Sequence, residues 1–132
     1  MRIDPDRLLA ILHGTICASV RSDAHDLSAR QMAILLAITL ESGLHTVRGL
    51  AAALNISKPA ISRSLDRLCE LGLAARDPDP RDRRSVLVVP TDVGRDYVTA
   101  LRDLLQEAAR PVPVRRSPRR SQPAAITGMV AA

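Results

Sequence analysis

Ten residues, RDPDPRDRRS from Arg76 to Ser85, set four arginines among three aspartates and two prolines between two short apolar runs. Guanidinium groups at such a turn suit phosphates and the electronegative, narrow minor groove of DNA. Carboxylates at that spacing would repel the same polyanion unless they work inward. They are expected to pair with neighbouring arginines and hold the loop in one shape, while Pro78 and Pro80 stiffen it by fixing φ. A metal-dependent nuclease would need those acids unpaired. No glycine-rich phosphate loop or Ser/His/Asp spacing accompanies them, so no enzyme is expected. His13 and Cys17 stand at i, i+4 and could share a metal. His25 and His45 cannot be placed beside them from sequence, and neither metal nor cofactor is expected. Cys17 is also a candidate redox thiol, which would require a nearby cation or donor to lower its pKa; the plainer reading is a buried apolar thiol.

The elements that must carry these residues are marked by their caps. Asp4 with Pro5 opens a first helix running to about Val20, with Ile3 against Leu8 as a hydrophobic staple. Ser28 and Gln31 form a capping box, with Leu27 against Met32, for a second helix ending near Gly43. Thr46 caps a short third helix, VRGLAAAL, that stops near Asn55. Ser57 caps a fourth, in which Pro59 is tolerated in the first turn, and Gly72 ends it. A short helix, a tight turn and a longer helix make a helix-turn-helix. Beyond it, LAA and SVLVV read as an antiparallel hairpin whose loop is Arg76 to Ser85. Thr91 caps a last helix in which Tyr97, Leu101, Leu104, Leu105 and Ala108 keep helical period, ending by Pro111. The fold class is therefore mainly α with a small β-hairpin: a winged helix-turn-helix with flanking helices.

A chain of 132 residues holds one such domain. With aromatics at only 1%, its core must be built from Leu, Ile, Val and Ala. The net charge of +5 misleads, because Met1 to Ala109 carries 14 basic and 14 acidic residues and the excess lies entirely in Arg110 to Ala132. Nucleic-acid binding must therefore be argued from where charges sit. The amino terminus shows no secretory pattern, two cysteines fit a reducing cytoplasm, and MAILLAI is too short to span a membrane.

In the fourth helix Ile61, Leu65, Leu68 and Cys69 share one stripe and should face the core. Pro59, Ser62, Arg63 and Asp66 face outward, with Lys58 and Arg67 on the flanks. Short side chains at the amino end let such a helix approach a major groove, and its dipole favours phosphate. The candidate recognition-helix contacts are Ser57, Lys58, Pro59, Ser62, Arg63 and Arg67, with Ser62 and Arg63 nearest base edges. The candidate wing contacts are Arg81, Asp82, Arg83 and Arg84.

DPRDRRSVLVVPTDVG, Asp79 to Gly94, resembles the wing signature of MarR-type transcriptional regulators, and NISKPAISRSLDRLCELGLAAR, Asn55 to Arg76, is similar to their recognition helix and following strand. The resemblance covers about Leu27 to Gly94; Pro90 departs from it, where relatives usually have an aliphatic residue. It implies a homodimer on a pseudo-palindromic operator, usually a repressor, released from double-stranded DNA by a small-molecule effector or by oxidation. It also implies that Arg84, beside Arg83, enters the minor groove and that Asp82 orients a basic side chain. In relatives a further carboxy-terminal helix commonly helps the chain dimerise.

Independently, the apolar residues of the first helix spread over more than one stripe, which one surface cannot cover. Leu8, Leu9, Leu12 and Ile16, with Leu101, Leu104 and Leu105, are the candidate dimerisation residues. The expected organisation is 1–26 an amino-terminal dimerisation helix, 27–91 the winged helix-turn-helix, 92–110 a carboxy-terminal dimerisation helix and 111–132 a flexible basic tail. The rival reading is a winged helix used as a protein-interaction module, which the neutral body charge favours.

Overall fold

The computed structural model describes residues 2–111. Along them run α1 (Pro5–Arg21), α2 (Ala29–Leu40), α3 (Val47–Leu54), α4 (Lys58–Glu70), β1 (Ala74–Pro78), β2 (Val86–Pro90) and α5 (Asp92–Ala109). The expected basic tail, but for Pro111, lies outside the described residues.

Each helix begins where a side chain satisfies the amides its first turn leaves free. Asp4 Oδ1 accepts from the Asp6 N–H at 3.2 Å. Ser28 and Gln31 exchange the two bonds of a capping box, at 3.2 and 2.9 Å. Thr46, Ser57 and Thr91 cap α3, α4 and α5 through the amides of Gly49, Ala60 and Gly94. Each such cap stabilises by about 1 kcal/mol. Two details differ from the sequence reading. Ile3 and Leu8 both remain exposed, so the expected staple on α1 buries little. And α2 stops at Leu40, with Glu41 already extended, before the positive φ of Gly43.

Between α3 and α4, Asn55 takes the left-handed conformation at φ 52°, a region that its short polar side chain tolerates. This turn lets Leu50 and Ala51 of α3 and Ile61, Leu65 and Leu68 of α4 converge on Ile34, Leu35 and Ile38 of α2. Leu73, Ala74, Val88 and Val98 close the same core. Cys69 is only half-buried at its edge.

The hairpin pairs Ala74 with Pro90 through to Pro78 with Val86. The ladder thus claims Arg76, Asp77 and Pro78, and the loop shrinks to Asp79–Ser85 rather than the whole of Arg76–Ser85. Pro78 is tolerated because both strands of a two-stranded hairpin are edge strands. A further bridge joins Thr46 to Leu87, and the Val88 N–H donates to the His45 carbonyl at 2.8 Å. The wing is therefore sewn to the segment that precedes α3.

On the far side α1 and α5 lie together. Gly14 faces Ala108, Arg7 Nη2 donates to the Ala109 carbonyl at 3.1 Å, and Tyr97 Oη donates to the His25 carbonyl at 2.9 Å. Burial, aided by Asp26, pushes the Tyr97 phenol above its ordinary pKa. Among the described residues no helix is long and apolar enough to cross a membrane.

Candidate nucleic-acid interface

The amino-terminal turn of α4 projects Ser57, Lys58 and Pro59 into solvent, and one and two turns on Arg63 and Arg67 are exposed as well. Ser62 differs: it is half-buried, and its carbonyl accepts a bond from Arg76 Nη2 at 3.4 Å. Arg67 shares its charge with Glu70 at 3.3 Å, an exposed pair of small energetic weight.

Two of the three wing aspartates, Asp79 and Asp82, work inward, chiefly on the loop's own amides, whereas Asp77 is exposed on β1 and makes no side-chain hydrogen bond or ion pair among the described residues. Asp79 is buried, and its Oδ1 accepts the Arg81 N–H at 2.9 Å while Arg81 Nε approaches to 3.7 Å. Asp82 Oδ1 accepts the Arg84 N–H at 2.9 Å, and the Ser85 N–H returns to the Asp82 carbonyl at 3.1 Å. These are two successive aspartate-anchored turns, which mimic backbone turns and fix the chain locally. Side-chain pairing with arginine, expected of the cluster generally, occurs within the loop only at Asp79. The side chains of Arg83 and Arg84 are exposed and make no ion pair among the described residues.

Arg76, which the sequence groups with the wing cations, has another engagement. Its Nη2 bonds Asp66 Oδ1 at 2.5 Å, and its Nη1 lies 3.7 Å from Cys69 Sγ. With the Ser62 carbonyl this makes three attachments along the middle and end of α4 from one strand residue, so Arg76 fastens wing to helix. Burial pushes the Cys69 thiol above its ordinary pKa, the Arg76 cation drawing it partly back and Asp66 adding to the rise.

Between wing and helices runs an open groove of about 440 Å³, bordered by Thr46 and Arg48 of the α3 start, Lys58 of α4, and Asp82, Arg84 and Ser85 of the wing. Sequence reasoning placed Arg48 in the first turn of α3 by the Thr46 cap but did not single it out. What brings it to the wing is the Thr46 to Leu87 bridge, a long-range pairing without a local sequence signal.

The candidate dimerisation residues lie elsewhere. Leu8, Leu9, Leu12 and Ile16 remain exposed on α1, Leu9 by 65%, and Leu105 is exposed on α5, whereas Leu101 and Leu104 are half-buried. Cys17 is half-buried with its Sγ 3.3 Å from His13 Nε2, and no group of three metal-ligating side chains occurs among the described residues.

Comparisons agree with this architecture. A family model described as the MarR family matches residues 25–85. An uncharacterised HTH-type transcriptional regulator of Mycobacterium bovis is 30% identical over 106 residues, which span 80% of this chain and 73% of that protein. The crystal structure of MarR superposes with a TM-score of 0.59 at 30% identity, covering 80% of this chain and 78% of its own. The MepR–DNA complex of S. aureus shares the fold, with a TM-score of 0.61 at 21% identity over 80% of this chain and 77% of its own.

Proposed function

Because the chain belongs to the MarR family of transcriptional regulators, we propose that it binds a pseudo-palindromic operator as a homodimer, acts as a repressor in the cytoplasm, and is released by a small ligand or an oxidant. The observation that carries the reading is the pairing of two exposed cationic elements across one groove. Arg84 stands on a wing braced by Asp79 and Asp82, across the groove from Lys58 in the exposed first turn of α4, while the exposed Arg83 borders a second hollow with Arg76 and Asp77. In this reading Ser57, Lys58, Pro59, Ser62, Arg63 and Arg67 meet the major groove, and Arg81, Arg83 and Arg84 reach the adjacent minor groove and its phosphates. The half-burial of Ser62 leaves Arg63 as the principal base reader. That MepR, which shares this fold, has been solved in complex with DNA supports DNA as the partner.

Exposed apolar residues on α1 and α5 support the dimer, since an isolated subunit would leave Leu8, Leu9, Leu12 and Ile16 in water. Two-fold pairing would set the recognition helices about 34 Å apart, one DNA turn. Cys17, close to His13, is the thiol at which oxidation would act. A protein-interaction role for the winged helix is the second reading, favoured by the balance of 14 basic and 14 acidic residues up to Ala109.

The test is binding of the full chain to duplexes from the region upstream of its own gene, across a salt series. Arg84→Ala and Arg83→Ala should weaken binding without unfolding the protein. Arg63→Ala should in addition relax sequence preference, costing about 1 to 3 kcal/mol for a bidentate base contact. Unchanged affinity in all three variants would refute the interface, and no duplex bound at any salt would favour the protein-interaction reading.

A further inference from the structure

A wing and an α4 that both contact DNA constrain what can occupy the groove between them. Major and minor grooves of a duplex are separated by one sugar-phosphate strand, so a helix in one groove and a wing in the next must straddle that strand. The strand has to pass through the space enclosed by the α4 start, the wing and whatever lies between. In this chain that space is the groove of about 440 Å³, and what lies between is the start of α3.

Its charged lining matches the occupant, with Val47 and Val86 completing the wall. Arg48, Lys58 and Arg84 come from three different elements, are all exposed, and make no ion pair among the described residues. Asp82 is the single carboxylate bordering the groove, and its Oδ1 already holds the Arg84 amide. Three cations against one acid leave a positive seat. Its position relative to α4 and the wing is held by the Arg76 attachments and the Thr46 to Leu87 bridge.

We infer that this groove is the seat for a single backbone phosphate of the DNA, and that Arg48, outside both recognition helix and wing, is the residue that closes it. The inference rests on the DNA-binding reading above and adds a residue and a defined contact to it. The seat registers the protein on the duplex without reading sequence, because every nucleotide offers the same phosphate. Lys58 and Arg84 face the phosphate from the helix and wing sides, and Arg48 faces it from α3.

The experiment measures binding of the full chain to an operator duplex and to an unrelated duplex between about 50 and 200 mM salt. Arg48→Ala should lower affinity for both by the same factor and reduce the salt slope by up to about 0.9 per half-site, the value of one phosphate contact. Over that fourfold salt range a full contact corresponds to about a 3.5-fold smaller loss of affinity per half-site. Duplexes with one neutral methylphosphonate moved through the half-site add a test that does not depend on variant folding. At one position the neutral linkage should weaken wild-type binding and weaken Arg48→Ala by a clearly smaller factor, because Lys58 and Arg84 still face that phosphate in the variant. Wild type that binds DNA while Arg48→Ala matches it in affinity and slope, or with no such position, overturns the seat and leaves the DNA-binding reading standing. Wild type that binds no duplex overturns both. Sodium phosphate that competes no better than chloride at equal ionic strength supports a backbone phosphate as the occupant. Much stronger competition by free phosphate would assign the groove to a soluble anion and overturn the proposal.

Discussion

Gly94 stands third in α5, and an alanine there should destabilise the protein although alanine is the better helix former. A Cβ built on Gly94 would fall 1.9 Å from the Leu73 carbonyl oxygen and 2.9 Å from its carbon. Side-chain carbons essentially never approach closer than 3.0 Å, so α5 or the Leu73 turn would have to retreat by about 1.1 Å. The obstacle is backbone, which no rotamer change can move aside. The retreat also strains the bond from the Thr91 N–H to the Leu73 carbonyl, 3.2 Å long. Overpacking of this kind costs about 1 to 3 kcal/mol, a lost hydrogen bond about 1 more, and the gain in helix propensity offsets about 1. The net is a destabilisation of about 2 kcal/mol. With a urea slope of about 2 kcal/mol per molar, the unfolding midpoint should fall by about 1 M. Protein concentration must be held constant, because a dimer's stability depends on it. Gly14→Ala supplies the comparison: its nearest neighbour is the Ala108 side chain at 3.3 Å, a contact that small shifts relieve. A Gly94→Ala midpoint equal to or above wild type would refute the reasoning.

Asp82→Ala removes the acceptor of the Arg84 amide, a bond of about 1 kcal/mol, so it should bind operator up to roughly fivefold more weakly than Asp82→Asn, which removes the same charge and keeps an acceptor. A fluorescence-anisotropy titration decides, and equal binding by both would contradict the turn-bracing role. Leu12→Glu with Ile16→Glu should convert a dimer to monomer in sedimentation equilibrium and weaken operator binding sharply; an unaltered dimer would place the interface elsewhere. For Cys69, burial favours the neutral thiol, so its contribution to stability is present below the unfolded thiol pKa and is lost as pH rises through the higher folded value. Alkylation of Cys69 in the native protein should therefore lag behind the urea-unfolded chain up to alkaline pH. Coincident pH profiles would show the thiol to be solvated.

The helices were legible because their signals are local. Asp4, Ser28, Thr46, Ser57 and Thr91 each announce a helix start, and each caps one. The buried stripe of α4 follows from period alone, as Ile61, Leu65 and Leu68 show. What escaped are contacts made across the chain. Arg76 looks like one more wing cation until its partners on α4, 7 to 14 residues earlier, are known. The inward role was legible in direction for Asp79 and Asp82 but not for the exposed Asp77, and the choice of backbone amides over guanidinium groups depends on the turn geometry of Asp79 to Ser85. Arg48 was in view only as a residue of the short helix after Thr46, since its neighbourhood is created by pairing between Thr46 and Leu87.

The attachment of Arg76 to Asp66 and Ser62, with the stitch from His45 to Val88, makes wing and recognition helix a single tool of fixed gauge. Within one subunit the separation of the two probes then has little room for adjustment, and the variable dimension in a pair of subunits is the stride from one tool to the other. In the dimer proposed above, an effector that released DNA would need only to spoil that stride, by wedging or twisting α1 and α5, and would leave each reading head undeformed.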